Sequence, residues 1–230
     1  HAVSSRLREG QVTVVGNGSA CVVGGHAYII KKGQRFITNS AIASMGYDLP
    51  AAIGAWTASR DKGCYCQGGD RSGDDLILVT GDGSMQMNLQ ELQTIIHHRM
   101  GIKIFVINNG GYHSIRQTQK NFFGEPLIGI GVDSGDLSFP ALDKLAAAYG
   151  YPYVSARHNS ELGEAVEKTL AAEGPVICEV FVSMDQNFEP KSSAKRLPDG
   201  TMVSPPLEDL SPFLPDEEMD ENMIIPRIRG

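Results

Sequence analysis

Leu76-Ile77-Leu78-Val79-Thr80-Gly81-Asp82-Gly83-Ser84, read together with Ile102-Lys103-Ile104-Phe105-Val106-Ile107-Asn108-Asn109, decides the fold. Each stretch is a short apolar run that stops at small or amide side chains, the pattern of a strand buried on both faces. Between them Leu89, Leu92, Ile95 and Ile96 recur at helical spacing, so the segment reads as strand, helix, strand with both polar ends on one edge. Ligands of an open parallel sheet sit outside the carboxyl ends of its strands, which makes these two polar ends the place to seek a site.

The spacing carries its own chemistry. Glycines 81 and 83 let the backbone approach a bulky anion, and a following helix capped by Asn88, with Glu91 three residues on, would aim free N–H groups at it. Asp82 supplies a hard carboxylate oxygen, Asn109 an amide oxygen, and the Gly110-Gly111 turn a backbone carbonyl. Mg²⁺ takes about six oxygens, few of them from protein and the rest from phosphates and water. The pattern therefore reads as a grip for a magnesium diphosphate.

Working outward, strands are expected near 11–15, 35–38, 151–155 and 176–182. Helices are expected near 2–8, 19–31, 47–60, 112–119, 140–149 and 160–172. This alternation predicts an α/β fold with a doubly wound, mostly parallel sheet and helices on both faces. Residues 1–185 form the expected binding domain. From residue 186 the texture changes, with prolines at 190, 198, 205, 206, 212, 215 and 226 and the acidic run Asp216-Glu217-Glu218. Such a tail cannot hold a long helix and is expected to wrap over the domain or a neighbour.

Hydrophobic residues make up 41% and charged ones 20% of the 230, ordinary globular values. A net charge of −7 argues against a nucleic-acid or anionic-membrane partner. The four cysteines have neither paired zinc spacing nor a ferredoxin run. Cys64 and Cys66 fall in a Gly- and Asp-rich stretch, 61–75, that reads as an inserted loop. No signal peptide or long apolar span is evident, so a reducing cytoplasm is the expected compartment. His97 and His98 suit a helix C-terminus at the surface. His26 and His113 are candidates for substrate contacts, although a purely structural role suits each at least as well.

Gly-Asp-Gly-Ser followed just under thirty residues later by Asn-Asn resembles the thiamine diphosphate fingerprint, and Thr38 to Ala55, TNSAIASMGYDLPAAIGA, resembles the segment preceding it in acetolactate synthase-type enzymes. The resemblance covers roughly residues 1–185. It implies thiamine diphosphate and Mg²⁺ as cofactors, with Asp82, Asn109 and the Gly111 carbonyl as metal ligands. It also implies Met45 beneath a bent cofactor and the Ala43 carbonyl facing its aminopyrimidine. Asn17-Gly18-Ser19 matches the family's other diphosphate-facing loop, and Ser19 is a natural helix cap. Gly81, Gly83, Ser84, Tyr112 and His113 complete the expected contacts.

The activity so implied is decarboxylation of a 2-oxo acid, pyruvate by resemblance, and ligation of the acyl carbanion to a carbonyl acceptor, a transferase or lyase chemistry. The family's activating glutamate belongs to a pyrimidine-binding domain for which this chain has no room. Because the sequence opens inside an expected helix, it reads as a fragment or separate subunit of a homo-oligomeric parent enzyme. FAD is allowed in a middle domain of that parent and is not expected to be bound here. In the family a C-terminal tail often covers the site, so residues 186–212 are a candidate lid.

Departures blur the acceptor. Acetolactate synthases carry Gln-His-Gln where this chain has Ser19-Ala20-Cys21, and a Trp where it has Thr118, which admits a larger acceptor such as a keto sugar. Ile115 stands where pyruvate decarboxylases carry a catalytic Glu, which favours ligation over simple decarboxylation. The alternatives are a thiamine diphosphate subunit of a 2-oxo acid oxidoreductase, a decarboxylase, and a noncatalytic diphosphate-binding module.

Overall fold

Apolar runs too short to be helices and too continuous to face water must pair with one another, and they do so in one six-stranded parallel sheet. The computed structural model describes residues 1–60 and 75–227. In chain order the first compact unit, His1–Gln186, contains α1 (Ala2–Arg6), β1 (Val12–Val15), α2 (Ser19–Ala27), β2 (Arg35–Thr38), α3 (Asp48–Ala58), β3 (Leu76–Gly81), α4 (Asp82–Gln86), α5 (Glu91–His97), β4 (Ile102–Asn108), α6 (His113–Phe122), α7 (Leu142–Tyr149), β5 (Tyr153–Ala156), α8 (Asn159–Ala171) and β6 (Val176–Phe181). The strands lie in the order β2-β1-β3-β4-β6-β5, all parallel, so the sheet is doubly wound as the alternation predicts.

Register places the core. Leu78, Ile104 and Ile177 stand in one row across β3, β4 and β6. They pack under Leu49 and Ala52 of α3, Leu92 and Ile95 of α5, and Leu142 and Ala146 of α7. On the opposite face Phe105 and Cys178 meet Leu7 and the α8 residues Ala165 and Val166. Each such aliphatic or aromatic side chain, removed from water, contributes about 1.5–3 kcal/mol. Two-sided burial is what the unbroken apolar runs encode.

Boundaries differ from expectation where the helical pattern is weak. The helix expected over 19–31 ends at Ala27, because Tyr28 turns extended. The segment between the two motifs holds two short helices, α4 and α5. Asn88 caps neither, since α5 has Gln90 at its N-cap with no side-chain cap bond. The helix that follows Gly81 directly, α4, is therefore the one whose first N–H groups face the motif.

The second unit, Asn187–Gly230, holds a two-stranded antiparallel ribbon, β7 (Lys195–Arg196) with β8 (Met202–Val203), and α9 (Asp216–Asn222). The acidic run forms the first turn of α9, where carboxylates meet the positive end of the helix. At seven residues it is short, as the prolines require. Cys64, Cys66 and residues 61–74 of the insert expected over 61–75 lie outside the described residues.

One charge inside the sheet has a structural explanation. Lys103 on β4 is fully buried, and its Nζ donates to the carbonyls of Ala172 and Gly174, the latter at 2.7 Å, while Asp75 Oδ2 lies 3.2 Å away. The ammonium thus closes the C-terminal end of α8. Lys103→Met leaves those carbonyls unpaired and is expected to cost about 2 kcal/mol. Urea unfolding checks it: the midpoint falls with an unchanged slope.

Candidate functional site

The strand order reverses direction at β1 and β3, and their carboxyl ends frame the crevice where such sheets take ligands. Three turns meet there. Gly16-Asn17-Gly18 leaves β1 for α2, Gly81 leaves β3 for α4, and Asn109-Gly110-Gly111 leaves β4 toward α6. The cavity between them is lined by Asn17, Gly18, Ser19, Met45, Gly81, Asp82, Gly83, Ser84, Asn109, Gly111, Tyr112 and His113, together with Ile107, Ser114 and Ile115. Thus all the sequence-predicted contacts except Ala43 and His26 line one pocket.

Asp82 is buried and shared between two loops. Its Oδ1 accepts the Gly83 N–H at 2.8 Å and its Oδ2 the Gly111 N–H at 3.0 Å. Asn109 is buried too, and its amide NH₂ donates to Ser19 Oγ at 2.7 Å. Ser19 is therefore not the helix cap; Gly18 occupies that position, and the Ser19 hydroxyl holds Asn109 instead. Of the three turn carbonyls, those of Asn109 and Gly110 accept from Arg116, and Gly110 also accepts from Val132. The Gly111 carbonyl accepts no hydrogen bond among the described residues. An acidic carboxylate, an amide oxygen and an unengaged carbonyl on one cavity are hard donors of the type Mg²⁺ selects.

The glycines are required by close approach. A Cβ on Gly83 would lie 2.4 Å from the Tyr112 ring, and one on Gly111 (φ +143°) 2.1 Å from the Ile130 carbonyl oxygen. The turn is joined to the 130–132 segment by Tyr112 N–H to Ile130 O at 2.7 Å and Val132 N–H to Gly110 O at 3.2 Å, around an isolated Gly111–Gly131 bridge.

The segment holding Met45 is fixed to the same loops. Ser84 Oγ accepts the Gly46 N–H at 3.0 Å, and Asn88 Nδ2 donates to Gly46 O at 2.6 Å, which is the work of Asn88 in place of capping. Asn17 spends its amide on the Ser44 carbonyl. Ala43 adopts a left-handed φ of +56°, a strained position for a residue with a Cβ, two residues before Met45. Below, fully buried Asp48 accepts from Thr80 Oγ1 and from Leu49 N–H at 3.3 Å, tying α3 to the end of β3.

His113 is buried, with Nδ1 3.3 Å from Arg116 Nη1. A guanidinium can only donate, so Nδ1 accepts and the imidazole proton sits on Nε2. His26 is exposed in the last turn of α2, away from the lining residues, because two helical turns carry it along the helix from Ser19. His97 and His98 are exposed at the end of α5, as expected.

Sequence reading missed Arg116, which is 1% exposed. Its fork pairs with Asp133 at 2.7 and 2.8 Å while reaching the Asn109 and Gly110 carbonyls and His113. No local pattern marks it, since its partners come from three segments. Glu179 and Lys103 did leave a signal, as charges inside strand patterns otherwise apolar.

The fold and its convergent loops define a doubly wound α/β domain with one cavity at its switch point. Residues 16–180 match the family model described as thiamine pyrophosphate enzyme, C-terminal TPP binding domain, and the chain belongs to that family. An acetolactate synthase of Arthrospira platensis is 31% identical over 157 residues, 68% of this chain and 24% of the relative. The acetolactate synthase large subunit of Cyanidium caldarium is 33% identical over 156 residues, 68% of this chain and 24% of its own. The acetolactate synthase isozyme 2 large subunit of Escherichia coli is 30% identical over 178 residues, 77% of this chain and 29% of its own. The chain thus spans about a quarter of the length of these relatives.

Burial pushes the Asp82 carboxyl up to about 6 from 3.8, against the N–H groups of Gly83, Gly111 and Gly110 and then the Arg116 charge, which pull it down. A folded value above the unfolded one means the fold prefers the protonated acid. That contribution is full below about pH 4 and lost as the pH rises through about 6. Ionised Asp82 therefore weighs against the ligand-free fold at neutral pH by about 3 kcal/mol. Asp82→Asn keeps one acceptor oxygen and loses about 1 kcal/mol of hydrogen bonding. The variant is expected to be more stable than the parent at pH 7.5, and not at pH 4, in urea titrations without metal; parallel pH dependences would refute this.

Proposed function

We propose that this chain is the diphosphate- and magnesium-binding portion of an acetolactate synthase-like enzyme that decarboxylates a 2-oxo acid, pyruvate by the chemistry of its relatives, and ligates the acyl fragment to a carbonyl acceptor. The observation that carries this reading is the Gly111 N–H to Asp82 Oδ2 bond at 3.0 Å, which joins the two motifs on the cavity that Asn109 also lines. In this reading the Asp82 carboxylate, the Asn109 amide oxygen and the Gly111 carbonyl hold Mg²⁺. The Asn17-Gly18-Ser19 turn and the first N–H groups of α4 face the diphosphate. When bound, thiamine diphosphate would supply a cationic thiazolium ring that takes up the electrons left by the departing carboxylate.

The remaining chemistry falls to residues of this chain and of a partner. Met45, held through Gly46 by Ser84 and Asn88, would pack against the cofactor, and the strained Ala43 backbone would offer its carbonyl to the aminopyrimidine. His113, with its proton on Nε2, serves as a donor to substrate. Ile115 lines the cavity where an acid would be needed to protonate a simple aldehyde product, which supports ligation. Thr118 is exposed and its hydroxyl bonds the Ser114 carbonyl, so it places no bulk against a large acceptor. A pyrimidine-binding domain or subunit supplies the activating glutamate, in an oligomeric parent enzyme.

Isothermal titration calorimetry tests the ligand assignment. With Mg²⁺ present, thiamine diphosphate is expected to bind and to be preferred over ADP, and Asp82→Ala to lose at least 100-fold in affinity, about 2.7 kcal/mol. Circular dichroism of the variant is expected to match the parent. Preference for the nucleotide, or undiminished affinity in the variant, would overturn the proposal.

A further inference from the structure

We infer that Glu179 is a positioning residue for the metal-binding turn, acting through the first asparagine of the Asn108-Asn109 pair; the inference rests on the diphosphate-binding reading and deepens it. Glu179 is 4% exposed, in β6, a strand otherwise apolar at its buried positions. Val106 of β4 is its register partner, which puts Asn108, two residues on, on the same face. Asn108 Nδ2 donates to Glu179 Oε1 at 2.6 Å, and Tyr153 of β5 donates its hydroxyl to Oε2. Asn108 Oδ1 in turn accepts the Gly110 N–H at 3.0 Å, and the next amide, Gly111 N–H, reaches Asp82.

The chemistry of the four groups explains why a carboxylate is used. An asparagine amide can present either its oxygen or its NH₂ to a neighbour, and the two ends are nearly the same size. A carboxylate accepts only, so it holds the NH₂ end and forces the oxygen toward Gly110. Asn108 thereby orients the 109–110 peptide through its N–H, while Arg116 holds the carbonyl of that same peptide, that of Asn109, at 3.2 Å and reaches the Gly110 carbonyl of the next peptide, 110–111, at 3.1 Å. With that peptide fixed, the Gly111 N–H points at Asp82 and the Gly111 carbonyl stays unengaged. Glu179 thus reaches the proposed ligand set through Asn108 without touching it. Burying a carboxylate costs free energy unless it is hydrogen-bonded, and here both oxygens are.

Four proteins test this: the parent chain, Glu179→Leu, Glu179→Gln, and the double variant Glu179→Leu with Asn108→Leu. The double variant replaces both partners of the amide–carboxylate bond, which spares it the buried unpaired Asn108 amide that Glu179→Leu alone leaves and keeps it foldable where the single variant is not. Two readouts are taken: amide hydrogen exchange at Gly110 and Gly111 without ligand, and the affinity for thiamine diphosphate with Mg²⁺. Glu179→Leu and the double variant are expected to lose exchange protection at both glycines while β3 and β4 amides keep theirs, and to lose 10- to 100-fold in affinity, on the order of other residues that orient metal ligands. Gln at 179 still offers an oxygen to Asn108 and an NH₂ to the Tyr153 oxygen, and is expected to rescue both readouts to within about threefold. Unchanged glycine protection in the double variant, or a Gln variant as impaired as Leu, would overturn the positioning role. Parent protein that fails to bind the cofactor, with the glycine amides still released in the variants, would instead overturn the proposed function and leave the relay standing.

Discussion

A carboxylate held dry at the end of β3 constrains everything around it. Asp82 is largely desolvated, and burial raises its carboxyl above the ordinary range. The chain answers with dipoles and with one charge set back from the carboxylate. Backbone amides of Gly83 and Gly111 point at its two oxygens, and the guanidinium of Arg116 sits behind the turn that supplies the second amide. This arrangement favours the anion only in part. For the Gly111 amide to arrive, residues 110 and 111 adopt φ of +67° and +143° and run against residues 130–132 so closely that neither Gly111 nor Gly131 has room for a Cβ. Glycine at these positions is thus a consequence of the carboxylate's burial.

The same constraint spreads to the segment around Met45. Gly46 is the point of attachment, its N–H bonded to Ser84 and its carbonyl to Asn88, so the peptides on either side of it are held by residues that follow Asp82. Asn17 holds the neighbouring Ser44 carbonyl from the β1 side. Three turns distant in sequence are therefore locked in mutual register by peptide hydrogen bonds. Such bonds, buried, resist small displacements because an unpaired partner costs about 1–3 kcal/mol.

What the sequence made legible follows from the range of the interactions. Strands β3, β4 and β6 were readable because two-sided burial writes a local, unbroken apolar run, and the polar residues that end two of them mark the crevice without further help. Pocket membership of Asp82 and Asn109 followed from topology, since parallel strands bring their ends to one edge, whereas that of Asn17 through Ser19 was legible only through the family resemblance. The side-chain partners did not follow. Ser19 looked like a cap and binds Asn109 ninety residues away, and Asn88 looked like a cap and binds Gly46. Short polar side chains carry identical local signatures for capping and for distant bonding, and only the fold chooses. Arg116 was invisible because burial of an arginine is decided by Asp133 and two carbonyls outside its own helix pattern.

Charges inside this sheet divide by edge. Lys103 enters β4 at the amino edge, and its donors are met by carbonyls of the α8 exit and by Asp75, groups that belong to the frame. At the carboxyl edge Glu179 meets Asn108 and Tyr153, and Asp82 meets the turn amides. These acceptors pass orientation outward, from strand to turn to cavity. The physical difference lies in what each charge is bonded to. A cation satisfied by fixed carbonyls stabilises the frame and stops there, whereas an anion satisfied by amides of a turn determines which way the peptides of that turn face. Buried charge at the carboxyl edge therefore fixes geometry in the place where a ligand would use it, and the rigid parallel strands beneath keep that geometry from relaxing.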